Sequence, residues 1–181
     1  MALTVSQQKL RIGSKALDFT LKGIDEKAYS PKDFSGTPLL AIFMCNHCPY
    51  VQQKMDAIIE LHKRFKDKIN IIGINSNAGY PGDGFADMKT FAKERGMAFP
   101  YLFDETQAVA KAYGAVCTPD TFLFDKDGIL AFHGRIDDAM ELGAPVKECT
   151  MEIVLNKLLK GEKIEKPFEP SQGCSIKWQS S

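Results

Sequence analysis

The stretch Leu39-Leu40-Ala41-Ile42-Phe43-Met44-Cys45-Asn46-His47-Cys48-Pro49 decides the fold. Its first six residues form an unbroken apolar run, which suits a central parallel strand covered on both faces. Downstream, Val51, Met55, Ile58, Ile59, His62 and Phe65 recur at helical spacing, with Gln52, Lys54, Glu60 and Lys63 off that face. Residues 69–74 read as a second buried strand. Strand, helix and strand together make a βαβ unit, whose crossover is right-handed. The Cys-x-x-Cys of residues 45–48 therefore sits where a buried strand hands over to a helix.

Working outward, Leu17, Phe19 and Leu21 alternate with Asp18 and Thr20, as in an edge strand. Residues 75–84 hold Gly, Pro and Asn and read as a loop, and 85–95 as a helix stopped by Gly96. A short strand follows at 101–103 and a short helix at 105–113, stopped by Gly114. The apolar runs 121–124 and 129–134 flank Asp125-Lys126-Asp127-Gly128, a hairpin signal. Residues 145–160 predict a closing helix with Pro145 in its first turn. The polar segment beyond it ends in Gly173-Cys174-Ser175-Ile176-Lys177-Trp178, too apolar for a plain linker. The pattern is α/β, with a domain over 1–164 and a tail over 165–181 docked on it.

The 181 residues are 44% hydrophobic and 25% charged with a formal net charge of +0, ordinary for a globular domain. That balance argues against a general nucleic-acid or anionic-membrane binder, so neither is expected as a partner. No stretch approaches the roughly 18 apolar residues of a membrane span. Residues 1–13 lack a secretory apolar core, and the expected location is cytoplasmic. Five cysteines (45, 48, 117, 149 and 174) are too sparse for a disulfide scaffold. In a reducing compartment a close pair is catalytic or metal-binding more often than structural.

At a helix N-terminus, unpaired N–H groups and the macrodipole favour a thiolate over a thiol, and the thiolate is the species that attacks a disulfide. Cys45 is the expected nucleophile. Cys48, one turn into the helix and more buried, is the expected resolving thiol. The Cys45–Cys48 disulfide would be the redox-active group, with no cofactor expected. As imidazolium, His47 would stabilise the Cys45 thiolate, and Asn46 could add a donor. The alternative is a metal site using Cys45, Cys48 and His47. A structural zinc usually takes four ligands, and no second Cys-x-x-Cys is present, so no metal is expected.

Five segments together resemble the peroxiredoxin-like subgroup of the AhpC/TSA (alkyl hydroperoxide reductase/thiol-specific antioxidant) proteins, in the thioredoxin-like superfamily. They are Cys45-Asn46-His47-Cys48-Pro49, Ile74-Asn75-Ser76-Asn77, Cys117-Thr118-Pro119-Asp120, Gly134-Arg135-Ile136-Asp137-Asp138 and residues 173–178. The resemblance implies a thioredoxin-like fold: a central mixed β-sheet flanked by helices, with an N-terminal β-hairpin extension. It implies a cis Pro119 facing the cysteine pair, with the Thr118 backbone turned to Cys45 to orient a substrate; the alternative is a trans proline opening a strand. The implied activity is thiol–disulfide exchange with protein or small-molecule disulfides and thiols. Antioxidant thiol-dependent peroxidase chemistry is an alternative, and so is a non-enzymatic metal- or partner-binding module on this fold. The peroxidase pattern is incomplete. Pro38 is in place, but Ile42 stands where a hydroxyl should be, and Pro119 occupies the neighbourhood of the expected arginine. Met44 and Asn46-His47 also depart from thioredoxin itself.

Cys117, next to Pro119, and Cys174, in the tail, are possible additional redox thiols. Cys149, with Val146 and Ile153, reads as a core thiol, and His62 as a core histidine. Residues 75–77 either line a cleft at the carboxyl end of the sheet or cap a turn. Arg135 with Asp137 and Asp138 reads as a surface ion pair. His133 is given no role.

Overall fold

The structure, a computed structural model, describes residues 3–179; residues 1 and 2 of the expected domain and 180 and 181 of the tail lie outside the described residues. In chain order the strands are β1 (Leu3–Val5), β2 (Leu21–Gly23), β3 (Ala28–Tyr29), β4 (Leu39–Phe43), β5 (Asn70–Asn75), β6 (Tyr101–Phe103), β7 (Cys117–Thr118), β8 (Asp120–Phe124), β9 (Leu130–Gly134), β10 (Phe168–Glu169) and β11 (Gln172–Ser175). The helices are α1 (Pro49–Phe65), α2 (Phe85–Arg95), α3 (Ala108–Tyr113) and α4 (Thr150–Lys160).

Strand β4 is central, as its unbroken apolar run requires. It pairs in parallel with β5 and antiparallel with β8 in a mixed sheet of order β10-β9-β8-β4-β5-β6-β2-β3. Its alternating side chains feed two cores. Leu40, Ile42 and Met44 pack with Val51, Met55 and Ile58 of α1 and with Met151 and Leu155 of α4. Ala41 and Phe43 pack on the other face with Tyr113, Phe122 and Phe124. Each large apolar side chain so buried contributes roughly 1.5–3 kcal/mol. This is the expected α/β, thioredoxin-like arrangement, with β2 and β3 forming a hairpin near the N-terminus. Gly96 ends α2 in the left-handed conformation (φ 64°).

Several local readings need correction. The strand expected over 17–21 is shifted: β2 starts at Leu21 because its partner β6 meets it only at Lys22 and Gly23. Helix α3 starts at Ala108 rather than 105, since the Asp104 carboxylate takes the Val109 and Ala110 N–H groups. Helix α4 starts at Thr150, with Cys149 as its N-cap, rather than near Pro145. There the Asp138 carboxylate accepts the N–H groups of Lys147 and Glu148, a local alternative to helix. Cys149 is consequently half-buried, and Val146 and Ile153 are exposed. In α1, Lys54 and Leu61 join the buried face, while Ile59 and His62 are half-buried. Lys54 is tolerated inside because its ammonium pairs with Asp137 and donates to the Ala139 carbonyl at 2.8 Å.

The C-terminal segment is built into the fold. Strand β10 runs parallel to β9, and β11 inserts between β1 and β7 in a second small sheet. No helix among the described residues is long and apolar enough to cross a membrane.

Candidate active site

Beyond Phe43 the chain leaves β4 at the carboxyl end of the sheet and reaches Cys48, the N-cap of α1, with Pro49 as the first helical residue. Cys48 is therefore not one turn inside the helix, as expected from the sequence. Cys45 lies upstream of the helix altogether. Both cysteines are 0% exposed.

The two sulfurs have different surroundings. The Cys48 sulfur is hydrogen-bonded by the Cys45 thiol, and further donors come from the Cys174 thiol, the Thr118 hydroxyl and the Val51 N–H. Together they outweigh burial and bring its pKa down to about 5. The Thr118 carbonyl, 3.2 Å from the same sulfur, accepts from Cys48 when it is protonated and so opposes the shift. Several donors stand against that one acceptor, and the direction is down. Cys45 moves the other way: donating to Cys48, its burial and the nearby Asp83 charge raise its pKa well above the ordinary thiol value. In the reduced pair the donors gathered on Cys48 favour its thiolate over that of Cys45. The sequence places the thiolate on Cys45; the directions differ first because the Cys45 thiol donates to Cys48, then because burial and the Asp83 charge act on Cys45 while Cys174, Thr118 and the Val51 N–H donate to Cys48.

Around Cys45, Thr118 Oγ1 lies at 3.5 Å and His47 Nδ1 at 3.6 Å. The same His47 nitrogen makes a short hydrogen bond to the buried carboxylate of Asp83. Since a carboxylate can only accept, Nδ1 carries the proton. Asp83 Oδ1 also accepts the backbone N–H groups of Asn46 (2.7 Å) and His47 (3.2 Å). The imidazole stacks on Tyr80 with ring centroids 4.1 Å apart, and it is partly exposed. Asn46 does not donate to the pair. Its side chain pins the loop, donating to the Gly82 carbonyl at 2.9 Å and accepting from the buried Tyr101 hydroxyl at 3.0 Å.

The Thr118–Pro119 bond is cis, and Thr118 touches both sulfurs. The edge of β7 carrying Thr118, expected to face a substrate, is taken by β11, with Cys174 in register with Thr118. Cys174 is buried, its thiol in hydrogen-bond reach of Cys48 and its pKa pushed up to about 12 by burial and that contact. Cys117 is buried, and its pKa is well raised by burial first and then by the Asp120 charge.

Other residues fall elsewhere. His133 is fully buried, and its Nε2 lies 2.9 Å from Asp120, whose carboxyl burial pushes up. Arg135 pairs with Glu169 rather than with Asp137 or Asp138. Asn75 Nδ2 holds the Asp83 carbonyl at 2.8 Å, and Asn77 Oδ1 accepts the Lys177 N–H at 2.8 Å, so this segment fastens the site and the tail. Asp83 was missed in the sequence. Its one signal was an acid in a Gly/Pro loop following a parallel strand, where α/β sites assemble. Cys45 Sγ, His47 Nδ1 and an Asp83 oxygen lie within 4.8 Å of one another, a mixed donor set that zinc accepts. A cleft of about 370 Å³ lined by Lys15, Phe34, Phe124 and Lys126 lies by Leu39, at the opposite end of β4.

Comparison with known proteins gives the family and the fold. The model of the AhpC/TSA family matches residues 12–133. Among curated proteins, the chain is 28% identical over 123 residues to the thiol-disulfide oxidoreductase ResA of Bacillus anthracis, covering 67% of this chain and 68% of that one. Among solved structures, an uncharacterized conserved protein from Geobacillus kaustophilus superposes with a TM-score of 0.93 at 37% identity, covering 100% of this chain and 98% of that one. A hypothetical protein from Sinorhizobium meliloti follows at TM-score 0.91 and 33% identity, covering 98% of this chain and 100% of that one.

Proposed function

The chain belongs to the AhpC/TSA family, and on that footing we propose that it is a thiol–disulfide oxidoreductase whose redox couple is the Cys45–Cys48 pair. The observation that carries the reading is the two buried sulfurs of Cys45 and Cys48 both in contact with Thr118, at 3.5 and 3.2 Å, beside Pro119. The similarity to proteins named thiol-disulfide oxidoreductases supports it.

In the proposed cycle the Cys45 proton passes to the Cys48 sulfur. The Cys45 thiolate, with the Thr118 hydroxyl as its donor and the His47 ring beside it, attacks a disulfide RS–SR′. A Cys45–SR bond forms, the S–S bond breaks and R′S⁻ leaves, taking up the proton of Cys48. The Cys48 thiolate then displaces RS⁻ from Cys45, closing the Cys45–Cys48 disulfide. Cys45 is the attacking sulfur because it lies beside the partly exposed His47, whereas Cys48 lies beneath Thr118 and Cys174. In the mixed disulfide Cys48 keeps its Cys174, Thr118 and Val51 donors, which favour the thiolate that the resolving step needs. The substrates are protein or small-molecule disulfides.

The test is insulin-disulfide reduction run alongside peroxide consumption, for the wild type, C45S and C48S. The reading expects insulin reduction by the wild type, its loss in both variants and little peroxide turnover. Full activity of C45S would refute it, and fast peroxide consumption would favour the peroxidase alternative. A second reading, metal binding at Cys45, His47 and Asp83, is favoured by their mutual proximity. Metal analysis of protein purified under reducing conditions tests it.

A further inference from the structure

Strand β11 lies antiparallel on β7, with Cys174 opposite Thr118 and Ser175 opposite Cys117. Gly173 is needed for this approach: a Cβ there would overlap the Thr118 carbonyl oxygen. The segment is anchored on both sides of the contact. Ile176 is buried in the core and donates its N–H to the Val116 carbonyl at 3.0 Å. Gln107 Nε2 donates to the Lys177 carbonyl at 2.8 Å, and β1 pairs along the other edge of β11. Cys174 is therefore held by backbone ladders on two sides, with its thiol in hydrogen-bond reach of the Cys48 sulfur. Cys48 has thiols on both sides, Cys45 and Cys174.

We propose that Cys174 is a third redox thiol, which exchanges into the Cys45–Cys48 disulfide to give a Cys48–Cys174 disulfide and a reduced Cys45. The proposal rests on the Cys45–Cys48 reading for the source of the disulfide. The Cys174 thiolate attacks Cys48 Sγ; the Cys48–Cys174 bond forms and the Cys45–Cys48 bond breaks. The electron pair leaves on Cys45, which takes up the proton lost by Cys174. No electrons enter or leave, so the step is an isomerisation of an existing disulfide. It stores the oxidising equivalent beneath the tail and returns Cys45, the sulfur beside His47, as a thiol. Because the strand supplying Cys174 covers the β7 edge, the same tail keeps an extended polypeptide from pairing there while it is docked.

Disulfide mapping of the full chain tests this. The C45S variant, oxidised with diamide, is digested without reduction, and the wild-type protein oxidised in the same way is mapped in parallel. C45S is expected to yield the Cys48 peptide cross-linked to the Cys174 peptide. The wild type is expected to yield both the Cys45–Cys48 and the Cys48–Cys174 links. Absence of the Cys48–Cys174 link in either protein overturns the proposal. The underlying reading fails separately, when the Cys45–Cys48 link is missing from the wild type.

Discussion

Asp83 accepts the backbone N–H of Asn46 at 2.7 Å, from the far side of a loop that joins β5 to α2. With its bonds to the His47 N–H and Nδ1, this one buried carboxylate fixes the backbone and the imidazole next to Cys45. Hydrogen bonds to a charged acceptor are worth roughly 1.5–3 kcal/mol each and do not add fully. Asp83→Ala is expected to cost about 3 kcal/mol in urea denaturation of the reduced protein. Asp83→Asn removes the charge that raises the Cys45 pKa. Its Cys45 alkylation profile should shift to lower pH, and a shift to higher pH would contradict the electrostatic assignment.

The Cys48 thiolate gives a pH dependence of defined sign. The folded pKa of about 5 lies below the ordinary value of 9.0. The contribution of Cys48 to stability is therefore fully present above 9, and it is lost as pH falls through about 5. The stability of the reduced wild type relative to C48S should rise across that window. Thiolate absorbance near 240 nm should appear with a midpoint near 5 in the wild type and be absent there in C48S. Above 9 the sign reverses, because Cys45 and Cys174 keep protons that the unfolded chain has released.

Lys54 and Asp137 form a buried ion pair behind the site, with side chains 8% and 2% exposed. Removing one partner leaves an uncompensated charge, so Lys54→Met should destabilise by about 3–5 kcal/mol. Asp137 also accepts the Ala139 N–H at 2.9 Å. A Lys54→Met/Asp137→Leu double variant should still recover most of the loss. Thermal or urea unfolding of the two variants checks this, and equal losses would contradict it.

Gly173→Val places a side chain against the Thr118 carbonyl. The expected result is release of β11: faster amide exchange over residues 172–176 and easier proteolysis of the tail, with β4 and β5 unaffected. Unchanged exchange in the tail would show that the close approach is not required.

The order of elements was legible because residues 39–44 and 69–74 bury both faces and residues 49–65 repeat at helical spacing, signals that survive without tertiary context. The boundaries at 108 and 150 were not legible, because carboxylates of Asp104 and Asp138 take backbone donors that a helix would otherwise use. Lys54 is polar and was placed outside, but its partner Asp137 is distant in sequence. The cysteine pair and Pro119 stood out as motifs. Asp83, the donors on Cys48 and the position of Cys174 did not. Each depends on chain segments brought together only by the sheet.

The most direct test of the central claim is equilibration of the purified protein with reduced and oxidised dithiothreitol, followed by disulfide mapping at each ratio. A reversible two-electron transition is expected in which a disulfide joining residues 45 and 48 appears; C48S abolishes it, and C45S loses that link and retains only the one between residues 48 and 174. Thiols at 45 and 48 that stay reduced across the whole range, or an unaltered transition in either variant, would contradict it.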